Sequence, residues 1–160
     1  MLRTQPGLVL KLLVLTFGAT YLGMVAATNL VNLVASITDQ HWTFLNSGNS
    51  DYIASIVKIY SFPSWTDNVF VLGAAVIEGI GCALFVRALL RYRGRGIGAL
   101  EAYQALTWNI GVWFAFIVGT EFFIAYPSES PFRELLALGL LMTLVVALVP
   151  NAPAKDRNRR

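Results

Sequence analysis

Charged residues are scarce in this sequence, and their scarcity excludes an ordinary soluble domain. Only 13% of the 160 residues are Asp, Glu, Lys or Arg, whereas 56% are hydrophobic and the mean hydropathy is +0.62. Soluble globular proteins carry roughly a quarter of charged residues. The composition therefore predicts an integral membrane protein with a single domain.

Cysteine and histidine are almost absent, and this limits the chemistry that the chain can perform. The single cysteine is Cys82 and the single histidine is His41, so the chain alone can form neither a disulfide nor a zinc cluster nor a bis-histidine haem site. A nucleophilic triad needs a histidine within reach of Ser or Cys. Because Cys82 lies in an apolar stretch and His41 lies in a loop beside Trp42, we expect no intrinsic catalysis and no metal site.

Four long apolar stretches predict four transmembrane helices in an antiparallel bundle, an all-α membrane fold. The predicted spans are residues 8–36, 67–90, 103–126 and 131–149. The first stretch is longer than the hydrophobic region of a signal peptide, so we interpret it as a retained span. Helix boundaries are indicated by Ser64-Trp-Thr-Asp67, which has the form of a capping box, and by Pro127 and Ser130-Pro131.

The first connection, residues 38–65, is predicted to contain a short interfacial helix. Asn46-Ser-Gly-Asn49 is a turn signal, and the apolar residues that follow it recur at the i, i+3, i+4, i+7 spacing of an amphipathic helix. These residues are Ile53, Ile56, Val57 and Tyr60. We expect this helix to lie on the membrane surface.

Basic residues indicate the orientation of the bundle. Ten of the twelve fall on one side of the predicted membrane, and only Lys58 and Arg133 fall on the other. By the positive-inside rule, both termini, the Arg87–Arg95 connection and the basic tail over residues 150–160 are cytoplasmic. The net charge of +3 is thus interpreted as a topology signal, and no nucleic-acid partner is expected.

Glu78 is the most informative polar residue, because it lies at the centre of the second span. At about 1.5 Å per residue it is roughly 15 Å from the start of that span, near the midplane of the bilayer. We expect a protonated, hydrogen-bonded carboxyl, with Tyr21 and Trp113 at a similar depth as available partners. A neutral link between helices, a proton-relay or ligand-binding role, and pairing with a basic residue of another subunit are all consistent with the sequence.

Glu121 is predicted to pair with Arg133 across the short turn between the third and fourth spans. Asn29 and Asn32 share one face of the first span and are expected to hydrogen-bond between helices in the same half of the membrane. A cation site that combines Asn29, Asn32, Glu121 and His41 is a further hypothesis.

Small residues recur every four positions on the second span, at Ala75, Gly79 and Ala83. Small residues at this spacing let helices approach closely, so this face is predicted to pack most tightly in the bundle. The same face is equally suited to receive a helix from another protein.

Several of these residues together resemble a known family. The Asn near the end of the first span, the mid-span Glu, and the run Gly119-Thr-Glu121-Phe-Phe123 followed by Phe132-Arg133 are similar to the bacterial predicted small integral membrane proteins grouped as domain of unknown function 2165. The resemblance covers Leu8 to Val149. The chain departs from that family at Phe122 and at Tyr126-Pro-Ser128, where the family tends to have Trp and Trp-Gln-Ser. The resemblance implies a four-span protein of the bacterial cytoplasmic membrane and no established activity.

These observations favour a non-catalytic accessory subunit of a larger membrane complex, of respiratory or photosynthetic type, with membrane lipids and other integral subunits as partners. The alternative is a small oligomeric transporter or channel subunit that uses Glu78 and Glu121 for proton or cation coupling. Aromatic residues are abundant in the third span and serve packing and lipid contact or complete a lipid, quinone or pigment site at a subunit interface. They are Trp108, Trp113, Phe114, Phe116, Phe122 and Phe123.

Overall fold

The computed structural model describes residues 6–39, 42–92 and 97–150, and these residues are almost entirely helical. The helices are α1 (Pro6–Thr38), α2 (Asn49–Val57), α3 (Thr66–Arg91), α4 (Ile97–Phe122) and α5 (Glu129–Leu148). Short 3-10 turns at Lys58–Tyr60 and Tyr126–Ser128 follow α2 and precede α5. Four helices, α1, α3, α4 and α5, are long and apolar enough to cross a membrane, so the predictions of an all-helical fold and of four long apolar helices are confirmed.

The four long helices form a bundle, and neighbouring helices in it differ in how extensively they contact one another. α1 lies along α3 over the greatest length, α4 lies between α3 and α5, and α1 and α5 meet at only a few positions. α2 packs against α3 and α1, near the end of the bundle where α1 finishes and α3 begins. This end is called the α2 end below, and the opposite one, where Arg87 and Arg91 lie, is called the arginine end.

α4 begins and ends earlier than predicted, at residues 97 and 122 rather than 103 and 126. Two nested hydrogen bonds end the helix. Ile124 N–H donates to the carbonyl of Glu121, and Ala125 N–H donates to the carbonyl of Thr120. This is the Schellman pattern, and Ile124 occupies the left-handed position with φ of 55°. A glycine usually marks that position, so the sequence offered no signal for this helix end.

Two close contacts between spans involve glycines of α1 and α3, in the central and arginine-end parts of the bundle. A Cβ atom added to Gly18 would lie 2.6 Å from the ring of Phe85, and one added to Gly81 would lie 2.6 Å from Leu22 Cδ1 and 3.0 Å from Trp108 Cδ1. The fully buried apolar side chains around these contacts are Leu15, Leu22, Phe85, Ala88, Ala102, Ala105 and Leu106.

The prediction that Ala75, Gly79 and Ala83 form one tightly packed face of α3 is wrong. Ala75 is buried, but Ala83 is exposed and a Cβ atom added to Gly79 would meet nothing within 4 Å. A strict four-residue row advances about 40° around the helix at each step, so it leaves the buried face within two turns. The alternative, that this face receives a helix of another protein, stays a prediction.

Candidate functional site

A cavity of about 570 Å³ lies in the α2 half of the bundle. α1, α3, α4 and α5 contribute its walls, and residues of α2 line it from the α2 end. On α3 the lining residues are Phe70, Ala74 and Glu78, on successive turns, so Glu78 is the one furthest from the α2 end. Most of the lining is apolar, which makes the few polar groups on its wall the candidates for recognition.

Glu78 is buried at the inner end of this cavity, with 1% of its surface exposed. Its Oε2 accepts a hydrogen bond of 2.7 Å from Asn29 Nδ2, and Asn29 Oδ1 accepts one of 2.5 Å from Asn49 Nδ2. These three side chains belong to α3, α1 and α2. The hydrogen bonds therefore join the deep carboxyl to the start of the helix that lines the cavity at its α2 end.

Asn32 fixes the same end of α2. Its Oδ1 accepts a hydrogen bond of 2.9 Å from the Asn49 backbone N–H, and its Nδ2 donates to Ser47 Oγ at 3.1 Å. The residue before the helix, Gly48, has φ of 72° and supplies no side-chain cap. A free N–H at a helix start needs an acceptor, and α1 provides it in place of a local residue.

The α2 segment is also tied to the far side of the bundle. The Tyr52 hydroxyl hydrogen-bonds to Ser128 Oγ, and the Tyr60 hydroxyl donates to the Phe122 carbonyl at 2.5 Å. The Tyr60 ring packs against Phe122 and Phe123, with centroid distances of 5.3 and 5.8 Å. Residues 49–60 thus connect α1 and α3 to the α4–α5 turn.

Three polar side chains on the cavity wall are committed within their own helices. Thr28 donates to the Val25 carbonyl at 2.8 Å, and Thr120 donates to the Ile117 carbonyl at 2.7 Å. Trp113 Nε1 donates to Asn109 Oδ1 at 2.9 Å. With Asn29 also satisfied, the groups left for a ligand at the inner end are the Glu78 carboxyl and the Tyr21 hydroxyl.

The structure brings Tyr21 and Trp113 to the cavity wall near Glu78, as their depth predicted, but with a different role. Neither donates a hydrogen bond to Glu78 among the described residues; the Trp113 N–H is committed to Asn109, and Glu78 Oε2 accepts from Asn29. Instead, the Tyr21 and Trp113 rings meet edge to face with centroids 6.0 Å apart. The predicted interhelical role of Asn29 is present, with Glu78 as its partner rather than Glu121.

The predicted ion pair between Glu121 and Arg133 is not formed. Arg133 Nε lies 3.1 Å from Glu129 Oε1, one helical turn earlier in α5, and Glu121 is exposed and does not line the cavity. The reason is local: α5 already begins at Glu129, which places a carboxylate at i−4 from Arg133.

The hypothetical cation site is not assembled either. Asn29 and Asn32 hydrogen-bond to Glu78 and to the start of α2, away from Glu121, and His41 lies outside the described residues. Within residues 6–39, 42–92 and 97–150, no three His, Cys, Asp or Glu side chains converge so as to hold a metal ion.

Sequence reasoning missed a charged cluster at the arginine end. Glu101, only 3% exposed, accepts hydrogen bonds on Oε1 from Arg87 Nε at 2.9 Å and Arg91 Nη1 at 2.8 Å. The two arginine side chains are 56% and 57% exposed. Their spacing of four on one helix face, followed by an acidic residue soon after the turn, could have signalled this contact. The positive-inside rule treats these arginines only as topology signals.

No family model, curated protein or solved structure matches this chain. The resemblance to the family of unknown function 2165 therefore stays a prediction.

Proposed function

We propose that the protein is a non-catalytic subunit of a larger membrane complex and that it holds a small amphiphilic molecule in the cavity beneath α2. The observation that carries this proposal is the cavity itself. Its volume of about 570 Å³ falls in the range of roughly 300–1,000 Å³ that small-molecule sites occupy. Apolar walls with one buried carboxyl at the inner end suit a molecule with an apolar body and a small polar head.

The orientation that goes with this proposal places the α2 end at the outer surface of a bacterial cytoplasmic membrane and the arginine end in the cytoplasm. The support is the distribution of basic residues along the chain. Large aromatic residues near α2 are exposed, namely Trp42, Phe44, Tyr60, Phe62 and Trp65. Such rings are favoured at the membrane–water interface, which supports α2 lying in the interface.

A matched pair of glycine substitutions on α4 tests the proposal. Gly119 lines the cavity and Gly111 does not, and a Cβ atom added to either would meet nothing within 4 Å. Gly119→Phe should fill part of the cavity, whereas Gly111→Phe should leave it unchanged. After gentle purification, wild type and Gly111→Phe are expected to carry one class of amphiphile in stoichiometric amount by native mass spectrometry, and Gly119→Phe is expected to lack it.

The same preparations test membership of a complex, because integral membrane partners should co-purify in fixed ratio with all three proteins. An unchanged small-molecule content in Gly119→Phe would remove the binding proposal. A clean monomer or homo-oligomer in every preparation would remove the proposed membership of a complex.

A second candidate function is proton coupling in a small oligomeric transporter. It is favoured by one observation, that Glu78 is the only carboxyl group among the described cavity-lining residues and lies near the middle of a span. Proton flux into liposomes, followed with an enclosed pH-sensitive dye, should then fall to the background in Glu78→Gln and persist in Glu121→Gln. Equal flux in wild type and Glu78→Gln would exclude this role.

A further inference from the structure

We infer that the molecule in the cavity presents a neutral, hydrogen-bond-accepting ring carbonyl, of the quinone class, to Glu78 and Tyr21. This inference rests on the proposed function, because it specifies what the cavity holds. The charges, the hydrogen bonds and the rings at the inner end of the cavity each restrict the chemistry of the head group.

The charges exclude an anionic head. None of the described residues that line the cavity is Lys, Arg or His. A phosphate or carboxylate brought to the inner end would lose its hydration and meet the Glu78 carboxyl without a cation to balance it. Removing a charge from water without a partner costs several kcal/mol, so an anionic head is strongly disfavoured there.

A cationic head is disfavoured for a related reason. It would require Glu78 to be ionised, and that carboxylate would then have one neutral donor, Asn29 Nδ2, at 2.7 Å and 1% of its surface exposed. The desolvation of both ions would offset much of their attraction. A protonated Glu78 avoids this cost, since it accepts from Asn29 and donates its own proton to a neutral oxygen.

The hydrogen-bonding groups that are still free at the inner end favour a head group that accepts hydrogen bonds. Thr28, Thr120 and Trp113 donate to atoms of their own helix, and Asn29 is satisfied on both its oxygen and its nitrogen. The Tyr21 hydroxyl forms no hydrogen bond among the described residues and lines the same wall. Two O–H donors, from Glu78 and Tyr21, are thus available to one head group, and a carbonyl oxygen has two lone pairs to receive them.

The rings around this position favour a planar head. Tyr21 and Trp113 meet at 6.0 Å, Trp113 and Phe132 are stacked at 6.3 Å, and Phe116 lies 5.7 Å from Trp113, all as centroid distances. All four residues line the cavity. A flat ring gains offset-stacked and edge contacts with such walls, whereas a flexible alkyl alcohol gains only burial. A carbonyl on a planar ring can accept hydrogen bonds from Glu78 and Tyr21 and can also pack against the aromatic rings of the cavity wall.

Three probes with similar alkyl tails test the head group, namely decylubiquinone, decylamine and decanoate. The full-length protein in nanodiscs is titrated with each, and binding is measured by native mass spectrometry. We expect decylubiquinone to bind at least about tenfold more tightly than the other two. Tighter binding of decylamine or of decanoate would overturn the inference.

Substitutions at Glu78 separate hydrogen bonding from charge. Glu78→Gln keeps an N–H donor, so decylubiquinone affinity should stay within about threefold, whereas Glu78→Leu removes the donor and should lower it about tenfold. Glu121→Gln, outside the cavity, is the matched control and should have no effect. Equal losses in Glu78→Gln and Glu78→Leu would show that charge is required and would overturn the neutral head.

Tyr21→Phe gives an independent reading if Glu78→Leu does not fold. It removes one hydroxyl and keeps the ring, and decylubiquinone affinity should fall several-fold; an unchanged affinity would contradict the two-donor arrangement.

Different outcomes would contradict the head-group inference and the proposed function. If Gly119→Phe does not expel the native amphiphile, the proposed function fails, whereas expulsion combined with a preference for decylamine or decanoate contradicts the head-group inference alone.

Discussion

Gly81→Val will destabilise the bundle by about 2 kcal/mol, whereas Gly79→Val, two residues earlier on the same helix, will leave the stability almost unchanged. Both substitutions introduce the same β-branched side chain into α3, so the effect on helix propensity is shared. The neighbours differ. A Cβ atom at Gly81 would lie 2.6 Å from Leu22 Cδ1 and 3.0 Å from Trp108 Cδ1, and one at Gly79 would meet nothing within 4 Å.

The neighbours of Gly81 cannot move aside easily. Leu22 is fully buried, and Trp108 is fixed by a hydrogen bond of 2.8 Å from its Nε1 to the Ile77 carbonyl. The measurement is reversible unfolding of the purified protein in mixed micelles with increasing sodium dodecyl sulfate, followed by circular dichroism. Equal stabilities of the two variants would contradict the close contact of Gly81 with Leu22 and Trp108.

Asn29→Leu is expected to have a larger effect, about 2–4 kcal/mol, because one buried and one half-buried group lose their partner at once. Glu78 Oε2 would lose its donor and Asn49 Nδ2 would lose its acceptor. A buried polar group without a partner costs more than the net gain of the bond that it made. The same detergent titration gives the stability.

The double variant Asn29→Leu with Glu78→Leu provides the control. Because it removes both partners of the Asn29–Glu78 hydrogen bond, its destabilisation should be smaller than the sum of the single effects by at least about 1 kcal/mol. Strictly additive effects would mean that Asn29 and Glu78 do not interact, and the account of the inner end of the cavity would then be wrong.

The sequence was sufficient for the number of long apolar helices and for the central position of Glu78 within α3, but it could not provide the partners of the polar residues. Hydropathy and length decide whether a helix crosses the membrane, and the position of Glu78 within α3 gives its depth. Which side chain meets Glu78 depends on how far α1 and α3 are rotated about their axes. The close contacts of Gly18 with Phe85 and of Gly81 with Leu22 restrict that rotation, and in the resulting packing Asn29 faces Glu78.

The errors have local causes of the same kind. α4 ends at a Schellman turn whose left-handed residue is Ile124, and a β-branched residue is rare there. The pair formed by Arg133 and Glu129 depends on α5 beginning before Pro131. Neither the end of α4 nor the start of α5 can be read from the hydrophobic periodicity or from the charge pattern. The cavity could not be predicted at all, because it arises from space left between four helices rather than from any motif.

The sparse contact between α1 and α5 has a consequence for how a molecule reaches Glu78. Residues 49–60 close the α2 end through bonds to Asn29, Asn32, Ser128 and Phe122, and α1 and α5 both line the cavity. We therefore expect the proposed ligand to enter sideways from the hydrocarbon phase, between these two helices. Such a ligand would dissolve in the bilayer first, so we expect its occupancy to follow its mole fraction in the lipid and not its concentration in water.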